Sequence, residues 1–152
     1  MTDGSERVPV FPDFSPTSGA LIRSAAARFG SQTFTVKDGV RMSFAEAERR
    51  SADLARAMLA AGVGKGSRVA LLAPNGAEWV VAWLAATRIG AVVSLLNTYY
   101  KERELDWILR HCDAQYLFTI DEHLGNDYLD RLEKVAPGLV DQTAGHIAVP
   151  SH

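Results

Sequence analysis

The feature that most limits what this chain can fold into is the run Val69, Ala70, Leu71, Leu72 and Ala73. After one polar residue, Arg68, it leaves neither face of an extended strand suited to water. Such a strand belongs inside a sheet covered on both sides, which usually means a parallel sheet. Pro74, Asn75 and Gly76 then supply a turn. Residues 77–89 are apolar nearly all round, with Trp79 and Trp83 four residues apart on one face. That pattern predicts a helix packed between layers. Gly90 stands where a helix needs a left-handed last residue, and residues 91–96 read as a second apolar strand. Two buried strands joined through a helix form a right-handed βαβ unit.

The flanking segments extend this unit. Residues 1–17 carry three prolines and no period, as expected of a loose arm. Ser18 is placed to cap a helix over 19–29 whose inner face would be Leu21, Ile22, Ala25, Ala26 and Phe29, with Gly30 ending it. Residues 33–37 alternate, Asp38 and Gly39 make a two-residue hairpin turn, and 40–42 return. Ser43 and Glu46 have the spacing of a capping box. The helix they open should bury Phe44, Ala47, Leu54, Ala55, Met58 and Leu59, keep Glu46, Arg49 and Arg50 wet, and stop at Gly62. Beyond the central unit, a helix over 101–112 would bury Leu105, Ile108, Leu109 and Cys112. A strand over 114–120 follows, then a helix over 126–135 ended by Pro137 and Gly138, and 146–149 offers a fourth strand. The fold class is therefore α/β: a doubly wound, mostly parallel sheet with flanking helices, preceded by a β-hairpin.

Composition removes several function classes. With 152 residues, one domain is expected. Sixteen Lys and Arg against eighteen Asp and Glu give a net charge of −2, so nothing draws the chain to nucleic acid or to an anionic membrane. Cys112 is the lone cysteine, which rules out an internal disulfide and fits a reducing compartment. No apolar run approaches the roughly 20 residues that span a bilayer, and the polar, proline-broken N-terminus is unlike a signal peptide. The chain reads as cytoplasmic, with no transmembrane segment.

Motifs for chemistry are sparse. The run from Gly62 to Ser67 suggests a phosphate loop, but Lys65 is followed by Gly66 rather than Ser or Thr. It also follows a helix and precedes a strand, the wrong order for offering helix N–H groups to phosphate. A helix stop and turn explains it better. His111, His123, His146 and His152 show no metal-ligand spacing with one another or with Cys112. Ligands in open α/β sheets sit beyond the C-terminal ends of the strands. Here those ends are Pro74, Asn75 and Gly76; Asn97, Thr98, Tyr99 and Tyr100; and Asp121, Glu122 and His123. The middle loop offers an amide, a hydroxyl and two aromatic rings in four residues. Its residue chemistry alone favours a turn with Tyr100 packed below the next helix. Lys101 is a poor cap for that helix.

Residues 68–97, preceded by Gly-Val-Gly-Lys-Gly-Ser and followed by Thr-Tyr-Tyr-Lys-Glu-Arg-Glu-Leu, resemble the N-terminal part of the adenylate-forming enzymes. These include acyl-CoA synthetases, luciferase and aryl-CoA ligases. Ser43, Phe44 and Glu46 match the first block of that family, and the resemblance covers roughly residues 18–137. It implies a parent that uses ATP, Mg²⁺ and CoA to turn a carboxylate into an acyl-adenylate and then a thioester. It also implies that residues 18–152 are a partial N-terminal subdomain, partnered by the remaining subdomains of the same polypeptide. In related CoA synthetases the loop matching Asn97, Thr98, Tyr99 and Tyr100 lies near the CoA nucleotide; acetyl-CoA synthetases carry Phe-Gly-Gly-Phe there. The family's adenylation machinery needs a Gly/Ser/Thr-rich loop followed by Pro-Lys-Gly, and the chain has none. The expectation is a chain with no catalytic or metal-ligating residue of its own, inactive alone and binding none of these cofactors tightly by itself, with a bare edge through which copies could associate as a homo-oligomer. The rival expectation is a stand-alone, non-catalytic α/β domain that binds a ligand or partner.

Overall fold

The computed structural model describes residues 15–138. Most of the expected N-terminal arm and the expected strand at 146–149 lie outside the described residues. Helix α1 spans Ser18–Phe29. The hairpin β1 (Thr33–Lys37) and β2 (Val40–Ser43) turns through Asp38 and Gly39, both at positive φ, as the Asp-Gly pair predicts. Helix α2 (Phe44–Ala60) leads to β3 (Arg68–Leu72), α3 (Ala77–Arg88), β4 (Val92–Leu95), α4 (Glu102–His111) and β5 (Tyr116–Thr119). A two-residue-stranded hairpin, β6 (Glu122–His123) and β7 (Asn126–Asp127), precedes α5 (Tyr128–Val135).

The central sheet has the order β4-β3-β5, and both pairings are parallel. Val69, Ala70, Leu71 and Leu72 are all buried, which places the two-sided apolar strand in the middle as its composition requires. Alternate residues feed two cores. Val69 packs with Ala55 and Met58 of α2 and Ala85 and Ala86 of α3. Ala70 and Leu72 pack with Leu105 of α4 and Tyr128 of α5. A third cluster, of Ile22, Met42, Ala47, Val81 and Leu84, joins α1 and the hairpin to α2 and α3. Arg88 locks α2 to α3: it donates to Glu48 Oε1 at 2.9 Å, to the Glu48 carbonyl at 3.1 Å and to Ser51 Oγ at 2.9 Å.

Several local expectations are corrected. Thr17, not Ser18, caps α1, its hydroxyl accepting from the Ala20 N–H at 3.2 Å, because the helix begins one residue early. Leu21 and Leu59 are more than half exposed, since each sits on the shoulder of its helix, outside the stripe that meets the neighbours. Arg50 is not on the wet side: it is half-buried and reaches the Glu78 carboxylate. Helix α3 buries Val81, Leu84, Ala85 and Ala86, while Trp79 and Trp83 stack, half-buried, with ring centroids 6.5 Å apart. Strand β4 is not buried on both faces; Val92 is 58% exposed and Leu95 53%, because β4 is an edge of the sheet. Asn126 and Asp127 are hairpin rather than helix, and the Asp127 carboxylate caps α5 by accepting from the Asp130 N–H at 2.8 Å.

The capping box of α2 forms in full. Glu46 accepts from the Ser43 backbone N–H at 2.9 Å, and Ser43 Oγ accepts from the Glu46 N–H at 3.2 Å. The backbone bond from Ser43, followed by its side-chain bond, lowers the Glu46 pKa below its ordinary 4.5. A depressed carboxylate contributes stability above its unfolded pKa and loses it as pH falls through the folded one. Ser43→Ala should cost about 1 kcal/mol near neutral pH, with the difference from wild type shrinking as pH drops below 4.5. Met58→Ala should cost about 2–5 kcal/mol at any pH where the fold persists. Urea denaturation midpoints at pH 7 and pH 3.5 check both outcomes.

Candidate functional site

Strand β3 sends its chain onward to α3, on one face of the sheet. Strands β4 and β5 send theirs to α4 and α5, on the other. Loops that diverge in this way leave a crevice at the C-terminal ends of the strands, where open α/β sheets hold ligands. A cleft of about 860 Å³ lies at that place. Its floor is Ala73, Pro74, Asn75 and Gly76 after β3, and Leu95 to Tyr100 along the end of β4. Trp79 and Val80 of α3 form one wall, and His123 reaches in from the β6–β7 hairpin.

Two of the three strand-end loops singled out from the sequence thus line one cavity, and His123 represents the third. Asn97 is the turn residue that its chemistry predicts. Its Oδ1 accepts from the Tyr99 N–H at 2.9 Å, and its carbonyl accepts from the Tyr100 N–H at 3.1 Å. Tyr100 packs, half-buried, against the core beneath α4. Tyr99 is 76% exposed, so its ring contributes little to packing. As the Lys101 ammonium cannot accept a hydrogen bond, α4 is capped from the other side: Glu104 accepts from the Lys101 N–H at 2.8 Å.

Nothing in the sequence pointed to the third wall. Thr35, Val36 and Lys37 of β1 reach over the cleft. Lys37 comes from about forty to sixty residues upstream of the loops it faces, and hairpin periodicity does not say which cavity a strand overhangs. The Lys37 stem lies against Gly76, where an added Cβ would sit 3.4 Å from Lys37 Cδ. Lys37 makes no ion pair among the described residues, and the lining includes no carboxylate. Gly76 begins α3 without a side-chain cap, so the positive end of the helix dipole adds to the Lys37 charge. The arrangement suits an anionic or aromatic ligand and lacks an acid–base pair. Among the described residues, no group of three or more His, Cys, Asp or Glu could hold a metal ion. The run from Gly62 to Gly66 is a turn between α2 and β3, with Gly62 and Gly66 at positive φ and Val63 buried. No helix among the described residues is long and apolar enough to cross a membrane.

A family model described as "AMP-binding enzyme" matches residues 22–149. The provisionally named acyl-CoA synthetase YngI of Bacillus subtilis (strain 168) is 30% identical over 133 residues, covering 86% of this chain and 24% of that protein. The acyl-CoA ligase sidI of Aspergillus fumigatus is 30% identical over 124 residues, covering 80% of this chain and 21% of that protein. In structure, the inhibitor-bound N-terminal domain of FACL13 from Mycobacterium tuberculosis superposes with a TM-score of 0.64 at 28% identity, covering 68% of this chain and 26% of that one. The chain therefore spans about a quarter or less of the length of the curated relatives it matches.

If the exposed Tyr99 is not part of the packing, Tyr99→Ala should change stability by no more than about 0.5 kcal/mol. Tyr100→Ala, which removes a half-buried ring from the core, should cost about 2 kcal/mol or more. Thermal unfolding of the two variants checks the contrast.

Proposed function

We propose, from the premise that this chain belongs to the AMP-binding enzyme family, that it is the N-terminal part of an ATP-dependent acyl-CoA synthetase. The parent enzyme would join a small-molecule carboxylate to ATP, releasing pyrophosphate and forming an acyl-adenylate. It would then pass the acyl group to the CoA thiol, releasing AMP. The observation that carries this reading is the naming of relatives aligned over four-fifths or more of this chain as acyl-CoA synthetase or ligase.

Residues 18–152 would then be a partial N-terminal subdomain and residues 1–17 an arm, in a protein working in the cytoplasm. On this reading ATP and Mg²⁺ would not be held by this chain's own residues. Among the described residues there is no metal cluster, and no glycine-rich loop passes from a strand into a helix. Those groups would be held by the remaining subdomains of the same polypeptide. The cleft does fit part of CoA. Asn97, Thr98, Tyr99 and Tyr100 would lie beside its nucleotide, with Lys37 able to meet a phosphate and the open Tyr99 ring able to stack on a base. The exposed Val92 and Leu95 on the β4 edge support docking of those subdomains, or association of copies when they are missing.

Adenylation depends on holding a triphosphate in line with a carboxylate and stabilising charge as pyrophosphate departs. Exchange of labelled pyrophosphate into ATP, with a panel of fatty and aromatic acids, tests the reading. The 152-residue chain should show no exchange above a mock-purified control, while the product of the whole reading frame should exchange with at least one acid. Exchange by the short chain, or none by the long one, would contradict it.

A further inference from the structure

Two residues of α5 end on the loop after β4, and nothing in the sequence pointed to either. Tyr128 is 1% exposed and donates its hydroxyl proton to the Thr98 carbonyl at 3.0 Å. Arg131 is 6% exposed and donates from Nη1 to the Tyr100 carbonyl at 2.7 Å. Its Nη2 donates to Asn126 Oδ1 at 2.9 Å, and the guanidinium lies 5.3 Å from the centre of the Tyr128 ring. Asn126 in turn donates its side-chain amide to the carbonyls of His123 at 3.3 Å and Leu124 at 3.2 Å. One network thus runs from the 97–100 loop, through Arg131, to the hairpin that carries His123. It ties together two walls of the cleft.

Arg131 makes no ion pair among the described residues. A buried cation compensated only by carbonyls, an amide and a ring face is an expensive way to fill space that a leucine or methionine could fill. What distinguishes arginine here is its planar fork, which fixes two acceptors at once. We infer that Tyr128 and Arg131 are positioning residues, which hold the backbone of the 97–100 loop in the one arrangement that presents Asn97 and Tyr99 to a ligand in the cleft. The inference rests on the reading of that loop as lying beside the CoA nucleotide. Tyr99 is free of core packing and Asn97 holds only a local turn. The loop's geometry therefore depends on what grips its carbonyls.

The test is carried out on the 152-residue chain with Tyr128→Phe, which keeps the ring and removes one hydrogen bond, and with Arg131→Met and Arg131→Lys. Backbone amide exchange is read by NMR at Tyr99 and Tyr100, whose N–H groups both bond to Asn97, and at Ala70 and Leu71 in β3. Loss of one neutral hydrogen bond should speed loop exchange about fivefold in Tyr128→Phe, and loss of the charged fork about tenfold or more in Arg131→Met. Arg131→Lys should fall between wild type and Arg131→Met, and β3 exchange should not move. CoA affinity, read by equilibrium dialysis, should weaken in the same order. Unchanged loop exchange in Tyr128→Phe and Arg131→Met would overturn the inference. So would acceleration that is equal in the loop and in β3, which would mark both residues as general packing. Loop acceleration combined with no CoA binding by wild type would uphold the positioning role and remove the CoA reading instead.

Discussion

Val69, Ala70, Leu71 and Leu72 place apolar side chains on both faces of one strand, and each residue is almost wholly buried. Burying such a strand requires two separate layers of helix, one over each face, and parallel neighbours on both edges. The chain supplies α2 and α3 for one face and α4 and α5 for the other. Ala85 and Ala86 of α3 have no exposed surface to speak of, so that helix approaches β3 closely. The bridge from Arg88 to Glu48 and Ser51 then sets where α2 lies relative to α3. Hydrophobic demand on one strand therefore fixes the layers, and polar contacts fix their register.

The cleft is a consequence of the same constraint. Because β3 must feed a helix on one face while its neighbours feed the other, the loops at the strand ends part and cannot fill the space between them. The hairpin β1–β2 closes this opening from above and brings Lys37 with it. The outer strand β4 shows the opposite situation: Val92 and Leu95 remain exposed on a sheet edge, the kind of surface that proteins cover with further chain. A chain matching about a quarter or less of its curated relatives leaves ample chain in those relatives to do so.

What the sequence revealed followed the reach of each signal. Two-sided apolarity located β3, the Asp38-Gly39 pair located the hairpin, and the Ser43–Glu46 spacing located the start of α2, because each signal acts within a few residues. The strand-end rule picked out Asn75, Asn97 and His123 before their proximity was known, since topology alone brings strand ends together. Periodicity judged Leu21, Leu59 and β4 too buried, because it reports which face of an element is apolar and not whether a neighbour exists to cover it. The β6–β7 hairpin escaped notice because its turn is Leu124-Gly125, with leucine at φ 50° where asparagine or aspartate would have signalled it. Lys37, Tyr128 and Arg131 act across long sequence separations, and a single sequence carries no local mark of such contacts.

The proposed ligand site is the opening at the ends of β3 and β4. Titration of isotopically labelled chain with CoA, followed through backbone amide and tryptophan indole resonances, tests it most directly. The largest shifts should fall at Asn75, Gly76, Asn97, Thr98 and Tyr99 and at the Trp79 indole, with the Trp107 indole on the exposed face of α4 unmoved. Shifts centred on Trp107 and Arg103, or no shifts at millimolar CoA, would contradict it.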